Sequence, residues 1–193
     1  MLLPGDVGLN GLSADTPDRL GIDAGVVYAN FTDEDNPGIC IGALRGGSTF
    51  TLERPLRDIE VDGTIAPTKG LKRRTRIVAT IECSALELFP ANIARMIAGA
   101  NVDDGDPEFT VITGGPVEDA DYLTNIALVG TIHGNLLPFV GLIYNALPDS
   151  PFALPWVNQN ETVVKAKWTG HADLVSPYTE PWELWLPKDL GGS

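Results

Sequence analysis

The sequence predicts an all-β protein built as a β-sandwich or barrel, and three observations support this class. Short runs of period-two alternation recur along the 193 residues, and such alternation places successive side chains on opposite faces of a sheet. Turn-forming residues separate the runs, since the chain holds 21 Gly and 15 Pro. Only Asn92 to Gly99 has helical spacing, with Pro90 before it and Gly99 as its stop. We therefore expect one domain, 1–193, with one short helix of about three turns.

The alternation also locates the strands. The segment from 123 to 147 is apolar on both faces, which predicts a central hairpin covered on both sides. Gly46-Gly47 is expected to end the second strand, and Trp168, Trp182 and Trp185 are expected to anchor the core. The predicted strands cover Val26 to Phe31, Ile39 to Leu44, Thr49 to Glu53, Ile59 to Val61, Arg76 to Ala85, Phe109 to Thr113, Leu123 to His133, Phe139 to Leu147, Glu161 to Thr169 and Trp182 to Leu186.

Composition limits the function classes. The chain is 44% hydrophobic and has a net charge of −13, from 26 acidic and 13 basic residues. Such a protein should not bind DNA by charge alone, and most of its acids are expected on solvated surfaces. Cys83 falls on the apolar side of a predicted strand and Cys40 lies between Ile39 and Ile41, so both are expected as buried free thiols rather than a disulfide. No run approaches ~18 apolar residues, so we expect no membrane helix.

Catalytic and metal-binding patterns are missing from the sequence. No Gly-x-Ser-x-Gly elbow or phosphate loop occurs, and the strand residue His133 and the loop residue His171 have no Cys or second His near them in sequence. The acidic segment from Asn101 to Asp121 suggests calcium, yet it lacks the spacing of the twelve-residue calcium loop. A solvated loop is the expected state of that segment. The sequence therefore predicts neither an enzyme nor a bound cofactor or metal.

A long charged insertion separates two of the predicted strands. It covers residues 53–76, far more than the roughly 2–5 residues of a usual hairpin loop, with acids at 58–62 and bases at 69–76. The basic block fits DNA binding, a solvated loop, or pairing with the acidic block of a neighbouring copy. The third interpretation explains both blocks, because complementary blocks give a head-to-tail contact. The candidate contact residues between subunits are Arg57, Asp58, Glu60, Asp62, Lys69, Lys72, Arg73 and Arg74.

The first 21 residues predict an extended N-terminal arm. They are rich in Gly, Pro, Asp and Asn and show no sustained period. Two interpretations stand: a frayed terminus, or an arm laid over a neighbouring subunit that buries its leucines, Leu2, Leu3, Leu9 and Leu12.

Several stretches together resemble a known family. They are Asp23-Ala-Gly-Val-Val-Tyr-Ala-Asn-Phe31, the run from Ile41 through Gly46-Gly-Ser-Thr-Phe-Thr-Leu-Glu-Arg54, Ile59-Glu-Val-Asp-Gly63, Pro67-Thr-Lys-Gly-Leu71 and Pro181-Trp-Glu-Leu-Trp185. In pattern and order they resemble the major tail tube protein of long-tailed bacteriophages (siphophages). The resemblance covers most of residues 22–186.

This resemblance implies a structural role. In that family, β-sandwich subunits form hexameric rings that stack into a tail tube, and strands from six copies join edge to edge into a barrel around the channel through which DNA is ejected. It implies that the strands around 49–53 and 76–83 line the channel here, and that the loop from Pro55 to Arg74 reaches an adjacent subunit or ring. The lumen-facing candidates are Thr49, Thr51, Glu53, Arg76, Thr80, Glu82 and Ser84.

The implied partners follow from the same resemblance. They are other copies of the chain, the tail terminator and distal tail proteins at the tube ends, and the tape measure protein and DNA inside the lumen without tight binding. No membrane is involved, and the location is the virion tail after assembly in the bacterial cytoplasm. Two other functions stay open: a monomeric carbohydrate-binding β-sandwich, and a β-rich hydrolase that uses a carboxylate pair.

Overall fold

The computed structural model describes residues 16–17, 20–21, 25–132 and 137–188. Within these ranges the chain forms twelve β-strands and one α-helix, with a 3₁₀ turn at Asp119–Asp121, which confirms the all-β class with a single short helix. Most of the predicted arm 1–21 lies outside the described residues, as does His133. Gly21 is described and forms an isolated antiparallel bridge with Ile132.

The strands are numbered in chain order, and the helix lies between the sixth and the seventh. Their bounds are β1 (Val26–Ala29), β2 (Ile39–Cys40), β3 (Leu44–Glu53), β4 (Leu56–Asp58), β5 (Lys72–Arg74), β6 (Val78–Ala85), α1 (Pro90–Ala94), β7 (Ala100–Asp103), β8 (Val111–Gly114), β9 (Leu123–Gly130), β10 (Phe139–Pro148), β11 (Val164–Thr169) and β12 (Trp182–Trp185).

The strands build two facing layers. Pairing follows the order β2-β1-β9-β10-β11-β6-β3, with β12 beside β10, and every pair is antiparallel. The first sheet holds β1, β2, β9, β10 and β12, and the second holds β3, β6 and β11. Strand β10 links them, because its last residues pair with β11 (Leu147↔Thr169 and Pro148↔Trp168). Among the described residues the path has two ends, so the fold is a sandwich rather than a closed barrel.

The core lies between the two sheets. The inward residues of β11 are buried as predicted: Val164, Ala166 and Trp168 alternate with the more exposed Lys165 and Lys167. Trp168 is fully buried and anchors the core, as expected. The prediction for the other two tryptophans was too broad, because the β12 alternation turns them to opposite faces. Trp182 is half-buried and packs against the core, whereas Trp185 lies on the other face of the first sheet and is 40% exposed.

One aromatic ring of the second sheet packs directly against a glycine of the first. Phe50 of β3 packs against Trp182 of β12, with ring centroids 6.5 Å apart. A methyl group added at Gly141 of β10 would lie 3.1 Å from a ring carbon of Phe50, closer than ordinary contact. The phenyl ring of one sheet therefore occupies the space that the glycine of the other leaves open.

The β9–β10 hairpin is central and covered on both faces, as the sequence predicted. The four residues from Asn125 to Leu128 and the four from Val140 to Ile143 are all buried. On the outer face, Asn125 accepts a hydrogen bond from the Phe31 N–H at 2.7 Å and donates one to the Phe31 carbonyl at 2.8 Å. These bonds hold Phe31 against an outer cluster of Ala127, Val140 and Leu142.

The helix is shorter than predicted. It has five residues, Pro90–Ala94, with Pro90 in the first turn as expected. The chain then continues through tighter bonds, Met96 N–H to Ile93 O and Ile97 N–H to Ala94 O. The indole N–H of Trp168 donates to the Arg95 carbonyl at 2.9 Å. The Arg95 carbonyl thus has a hydrogen-bond partner without a further helical turn. The helix therefore ends earlier than the spacing of its apolar residues predicts.

Strand β3 contradicts the predicted break at Gly46-Gly47. The strand begins at Leu44 and runs through both glycines, which have φ of +85° each. The register with β6 shifts between Leu44 and Ser48. The two glycines therefore form a bulge inside the strand, where positive φ suits residues without a Cβ.

Three further predictions were wrong. Ile59 to Val61 is not a strand; the insertion instead forms the small β4–β5 hairpin on either side of it. Strand β7 was not predicted, and its partner β8 starts at Val111 rather than Phe109. Cys40 is exposed because β2 is a two-residue edge strand. Cys83 is a buried free thiol as expected, and burial raises its pKa to about 12.

Candidate assembly surface

The outer face of the second sheet carries most of the lumen-facing candidates. In the register, Thr49 lies opposite Glu82 and Thr51 opposite Thr80. Because paired residues share a face, these side chains form one surface together with Glu53 and Ser84. Thr80 is only 5% exposed between its neighbours, so its side chain lies beneath this surface rather than on it. Arg76 is exposed but lies two residues before β6 begins, so it is not part of this sheet face.

Two basic residues belong to the same surface and were missing from the candidates. Strand β11 pairs with β6 so that Lys165 lies opposite Ser84 and Lys167 opposite Glu82. Their outward direction was predictable from alternation, but the pairing of β11 with β6 was not. We name this surface the polar face; its exposed or half-exposed members are Thr49, Thr51, Glu53, Glu82, Ser84, Lys165 and Lys167.

Charges of both signs neutralise each other across the polar face. The Lys167 ammonium lies 3.1 Å from the Glu82 carboxylate, and that hydrogen bond raises the pKa of Lys167. Beside them the Thr169 hydroxyl donates to Asp149. The surface is therefore polar and carries charges of both signs, although the net charge of the chain is −13.

Both edges of the second sheet are incompletely paired. Within the described part of the chain, β3 pairs with β6 alone, so its other side is an open edge. Strand β11 pairs with β10 only through Trp168 and Thr169, which leaves Val164 to Ala166 without a strand on that side among the described residues. A strand edge of this kind presents backbone N–H and C=O groups to any further strand.

The charged insertion projects from the end of this sheet. Every residue from 53 to 76 is exposed except the half-buried Leu71. The base of the insertion, where it joins the sandwich, is bound to the rest of the chain. Arg54 lies 3.1 Å from the Glu180 carboxylate and stacks over Trp182, and Arg74 also pairs with Glu180. The base is thus fixed on its own chain, while the distal residues 59–71 extend from it.

The eight contact candidates divide into two groups. Asp58 and Lys72 pair with each other at 3.4 Å across the β4–β5 hairpin, and Arg74 is bound to Glu180. The Arg73 guanidinium donates to the carbonyls of Gly70 and Lys72. Within the described residues, the remaining side chains form no ion pair with this chain, and they are Arg57, Glu60, Asp62 and Lys69.

Large apolar side chains lie exposed on three separate loops. Ile65 at the tip of the insertion is fully exposed, and Trp156 in the loop after β10 is 77% exposed. In the loop between β11 and β12, Leu174 is 92% exposed and Tyr178 is 98% exposed. Concentrations of such side chains mark interaction sites.

The acidic segment behaves as a solvated hairpin. Asp103 and Asp106 accept hydrogen bonds from backbone N–H groups two or three residues further on, which stabilises the β7–β8 loop. Among the described residues no group of three or more His, Cys, Asp or Glu side chains is placed to hold a metal ion. The Nδ1 of His171 instead lies 3.1 Å from the Asn145 carbonyl oxygen, which accepts a hydrogen bond when Nδ1 carries the proton, and the ring contacts Tyr122 edge-on.

No protein-family model matches the chain, and no curated protein matches it either. No helix within the described residues is long and apolar enough to cross a membrane.

Proposed function

We propose that this chain is a structural virion protein, the subunit of a phage tail tube. Hexameric rings of the chain stack into the conduit for DNA ejection, and the chain acts by assembly rather than by catalysis. The observation that carries the proposal is the open edge of β3, a ten-residue strand of the sandwich with a partner on one side only among the described residues. Proteins that stay monomeric usually shorten, charge or cover such an edge.

A ring needs two different edges on each subunit. A heterologous contact closes into a ring when one surface of each copy meets a different surface of the next. The second sheet supplies both, since β3 is open on one side and β11 is open along Val164 to Ala166. Pairing of β3 with the β11 of the next copy would join the second sheets into one continuous barrel wall. The polar faces would then form a single surface around the axis.

The chemistry of the polar face suits a channel wall. Its threonines and serine are small, and Lys167 pairs with Glu82 of the same sheet. Such a wall has no strong net charge to hold DNA and no large apolar groups to hold the tape measure protein. Tail terminator and distal tail proteins would cap the two ends of the tube.

The insertion supplies the second contact. Its distal residues lack ion-pair partners within the described chain, and it carries acids and bases in separate blocks. With its base held by Glu180, it is presented in a defined direction, which lowers the entropy cost of binding a neighbour. The residues free to bind a neighbouring subunit are Arg57, Glu60, Asp62 and Lys69.

The test is to shorten the insertion without disturbing its base. Replacing residues 59–71 by Asn-Gly keeps the Asp58↔Lys72 pair and the Arg74–Glu180 contact, because two-residue Asn-Gly loops close hairpins well. A matched control replaces residues 104–110 by Asn-Gly between Asp103 and Val111 of the other exposed hairpin. Concentrated protein is then viewed by negative-stain microscopy.

We expect tubes from the unchanged and control proteins, and folded particles without tubes from the shortened protein. Circular dichroism checks that all three are folded. Tubes of normal length from the shortened protein would show that the insertion is not required for assembly. An unchanged protein that stays monomeric at high concentration would overturn the tube, and glycan binding by that monomer would favour the carbohydrate-binding alternative.

A further inference from the structure

An apolar groove lies on the outer face of the first sheet. It has a volume of about 310 Å³ and its rim carries Asp33 and Glu34. Phe31 and Trp185 meet inside it, with ring centroids 5.9 Å apart. We name it the outer groove; its apolar lining is Phe31, Leu137, Val140, Trp185 and Leu186.

An apolar protrusion lies in the loop between β11 and β12. Leu174, Val175 and Tyr178 are each about nine-tenths exposed or more, at 92%, 89% and 98%. We name these three residues the apolar knob. Neighbouring side chains of this size are rarely left in water unless a partner covers them.

The knob is held in place by its own loop. The Val175 N–H donates to the Asp173 carboxylate at 2.8 Å, and the Ser176 N–H donates to the Asp173 carbonyl at 3.1 Å. The two ends of the loop are bound to one residue of β10, since the His171 N–H donates to the Tyr144 carbonyl and the Tyr144 N–H to the Pro181 carbonyl. A pre-shaped loop loses little conformational freedom when it binds.

Knob and groove lie at opposite ends of the same short strand. In the register, Trp182 at the start of β12 lies opposite Ile143, and Trp185 at its end lies opposite Val140. The knob loop joins β12 at the Trp182 end, and the groove lies at the Trp185 end. Two such surfaces at opposite ends suit contacts between different copies, each joining the next in the same direction.

Charge favours the apolar knob over the other exposed apolar loops as the partner of the outer groove. Arg76 is exposed and lines one depression together with Tyr178, so a basic group stands beside the knob. The groove rim is acidic, with Asp33 fixed by hydrogen bonds from the N–H groups of Asp35 and Asn36. The loop around Trp156 has the acids Asp149 and Glu161 at its two ends and no base between them. Opposite charges at a rim set the register of a contact.

We propose that the apolar knob of one copy inserts into the outer groove of a second copy. The contact rests on the proposed tube and deepens it by naming how one ring joins the next. Edge pairing joins copies side by side through the second sheet, whereas this contact joins opposite ends of β12 in successive copies. The two together extend a ring into a stack.

Cross-linking between two populations tests the contact. The exposed Cys40 is first replaced by serine, and Cys83 is kept because it is buried. One population then carries Val175→Cys and the other carries Leu186→Cys. The populations are mixed, assembled and treated with a short bismaleimide. We expect a dimer band that needs both populations. A matched control pairs Ile65→Cys with Leu186→Cys and should give at least about tenfold less product, because Ile65 is equally exposed but outside the knob.

Equal yields from the two mixtures would overturn the contact. So would protection of Leu186→Cys from maleimide in the monomer, because residues of the same chain would then already fill the groove.

A charged knob tests the consequence for assembly. Val175→Glu with Tyr178→Glu should leave single rings but raise the protein concentration needed for tubes by at least about tenfold, since a carboxylate in an apolar groove is costly. Tubes at the normal concentration would overturn the contact and leave the proposed function intact. Unchanged protein that forms neither rings nor tubes would overturn the proposed function and this contact with it.

Discussion

The hairpins β9–β10 and β3–β6 differ in how completely one chain satisfies them. The central β9–β10 hairpin is flanked by β1 on one side and by β11 and β12 on the other, and it is buried on both faces. The β3–β6 hairpin packs against the core through one face, and its β3 strand pairs on a single side in the described chain. The first hairpin holds the body together, whereas the second presents backbone and polar side chains outward.

Under the proposed function, this difference separates the strands that stabilise one copy from the strand that joins two copies. A strand that is complete within one chain contributes its packing and hydrogen bonds to monomer stability. A strand with an open edge contributes backbone hydrogen bonds on one side only. Mutations in the two hairpins should therefore separate stability from assembly.

The largest effect on stability is expected from Ile143→Ala in β10. Ile143 is fully buried, and removing its branched side chain should lower the free energy of unfolding by about 2–5 kcal/mol. Thr51→Ala on the polar face should change it by no more than about 0.5 kcal/mol. Urea unfolding followed by circular dichroism measures both. Similar losses in the two variants would contradict the division between the hairpins.

The next effect concerns the hydrogen bonds of Asn125. Asn125→Ala removes the partners of both the N–H and the carbonyl of Phe31, so we expect a loss of about 2 kcal/mol or more in the free energy of unfolding. Thr124→Ala, an exposed neighbour, is the control and should be nearly neutral. Thermal unfolding compares the two. An Asn125→Ala protein as stable as the control would mean that Phe31 does not depend on these bonds.

A smaller effect is expected where the insertion meets the body. Glu180→Gln weakens the contacts of Arg54 and Arg74, and partly exposed pairs contribute at most about 1 kcal/mol. Trypsin should nonetheless cut the insertion faster, because its base is less firmly held. Glu183→Gln is the matched control. Glu180 accepts from the Trp182 indole N–H at 2.7 Å and Glu183 from the Trp185 indole N–H at 2.9 Å, but Glu183 forms no ion pair with an arginine among the described residues. Equal cleavage of both variants would show that Glu180 does not hold the insertion.

The smallest effect is expected from Glu82→Gln on the polar face. Glu82 and Lys167 are both well exposed, so the loss should be about 0.5 kcal/mol or less. The pair raises the pKa of Lys167, so its contribution is fully present below the ordinary lysine pKa of about 10.4 and is lost as the pH rises through the folded value. Urea unfolding at pH 8 and above pH 11 should show the difference between the proteins shrinking. If the difference in free energy of unfolding between the two proteins stayed constant with pH, the Glu82–Lys167 pair would not be its cause.

Sequence alternation was sufficient where a strand has one buried and one exposed face. It placed Val164, Ala166 and Trp168 in the core and Cys83 on the buried face of β6. The same signal separated Thr49, Thr51 and Glu82 onto the polar face. It did not give strand order, so Lys165 and Lys167 could not be assigned to that surface before their pairing was known.

The failures have tertiary causes. The helix ends early where Trp168 binds the Arg95 carbonyl, a contact between residues 73 positions apart. Gly46 and Gly47 form a bulge because the ladder to β6 resumes beyond them. Trp185 follows the alternation of β12 but lies on the outer face, and a sequence does not say which of two apolar faces is the inner one. The surfaces proposed for assembly were located only in part, since exposure of Val175 or Tyr178 leaves no signal in a sequence.

Gly141 has a consequence beyond its own strand. The ring of Phe50 rests where a side chain of residue 141 would begin, and Phe50 belongs to the strand with the open edge. The absence of one carbon atom thus lets β3 lie closer to the first sheet than a side chain at residue 141 would allow. In a ring of identical copies a change of a few tenths of an ångström at this point would be repeated in every subunit, so the bore of the ring would depend on the smallest side chain in the protein.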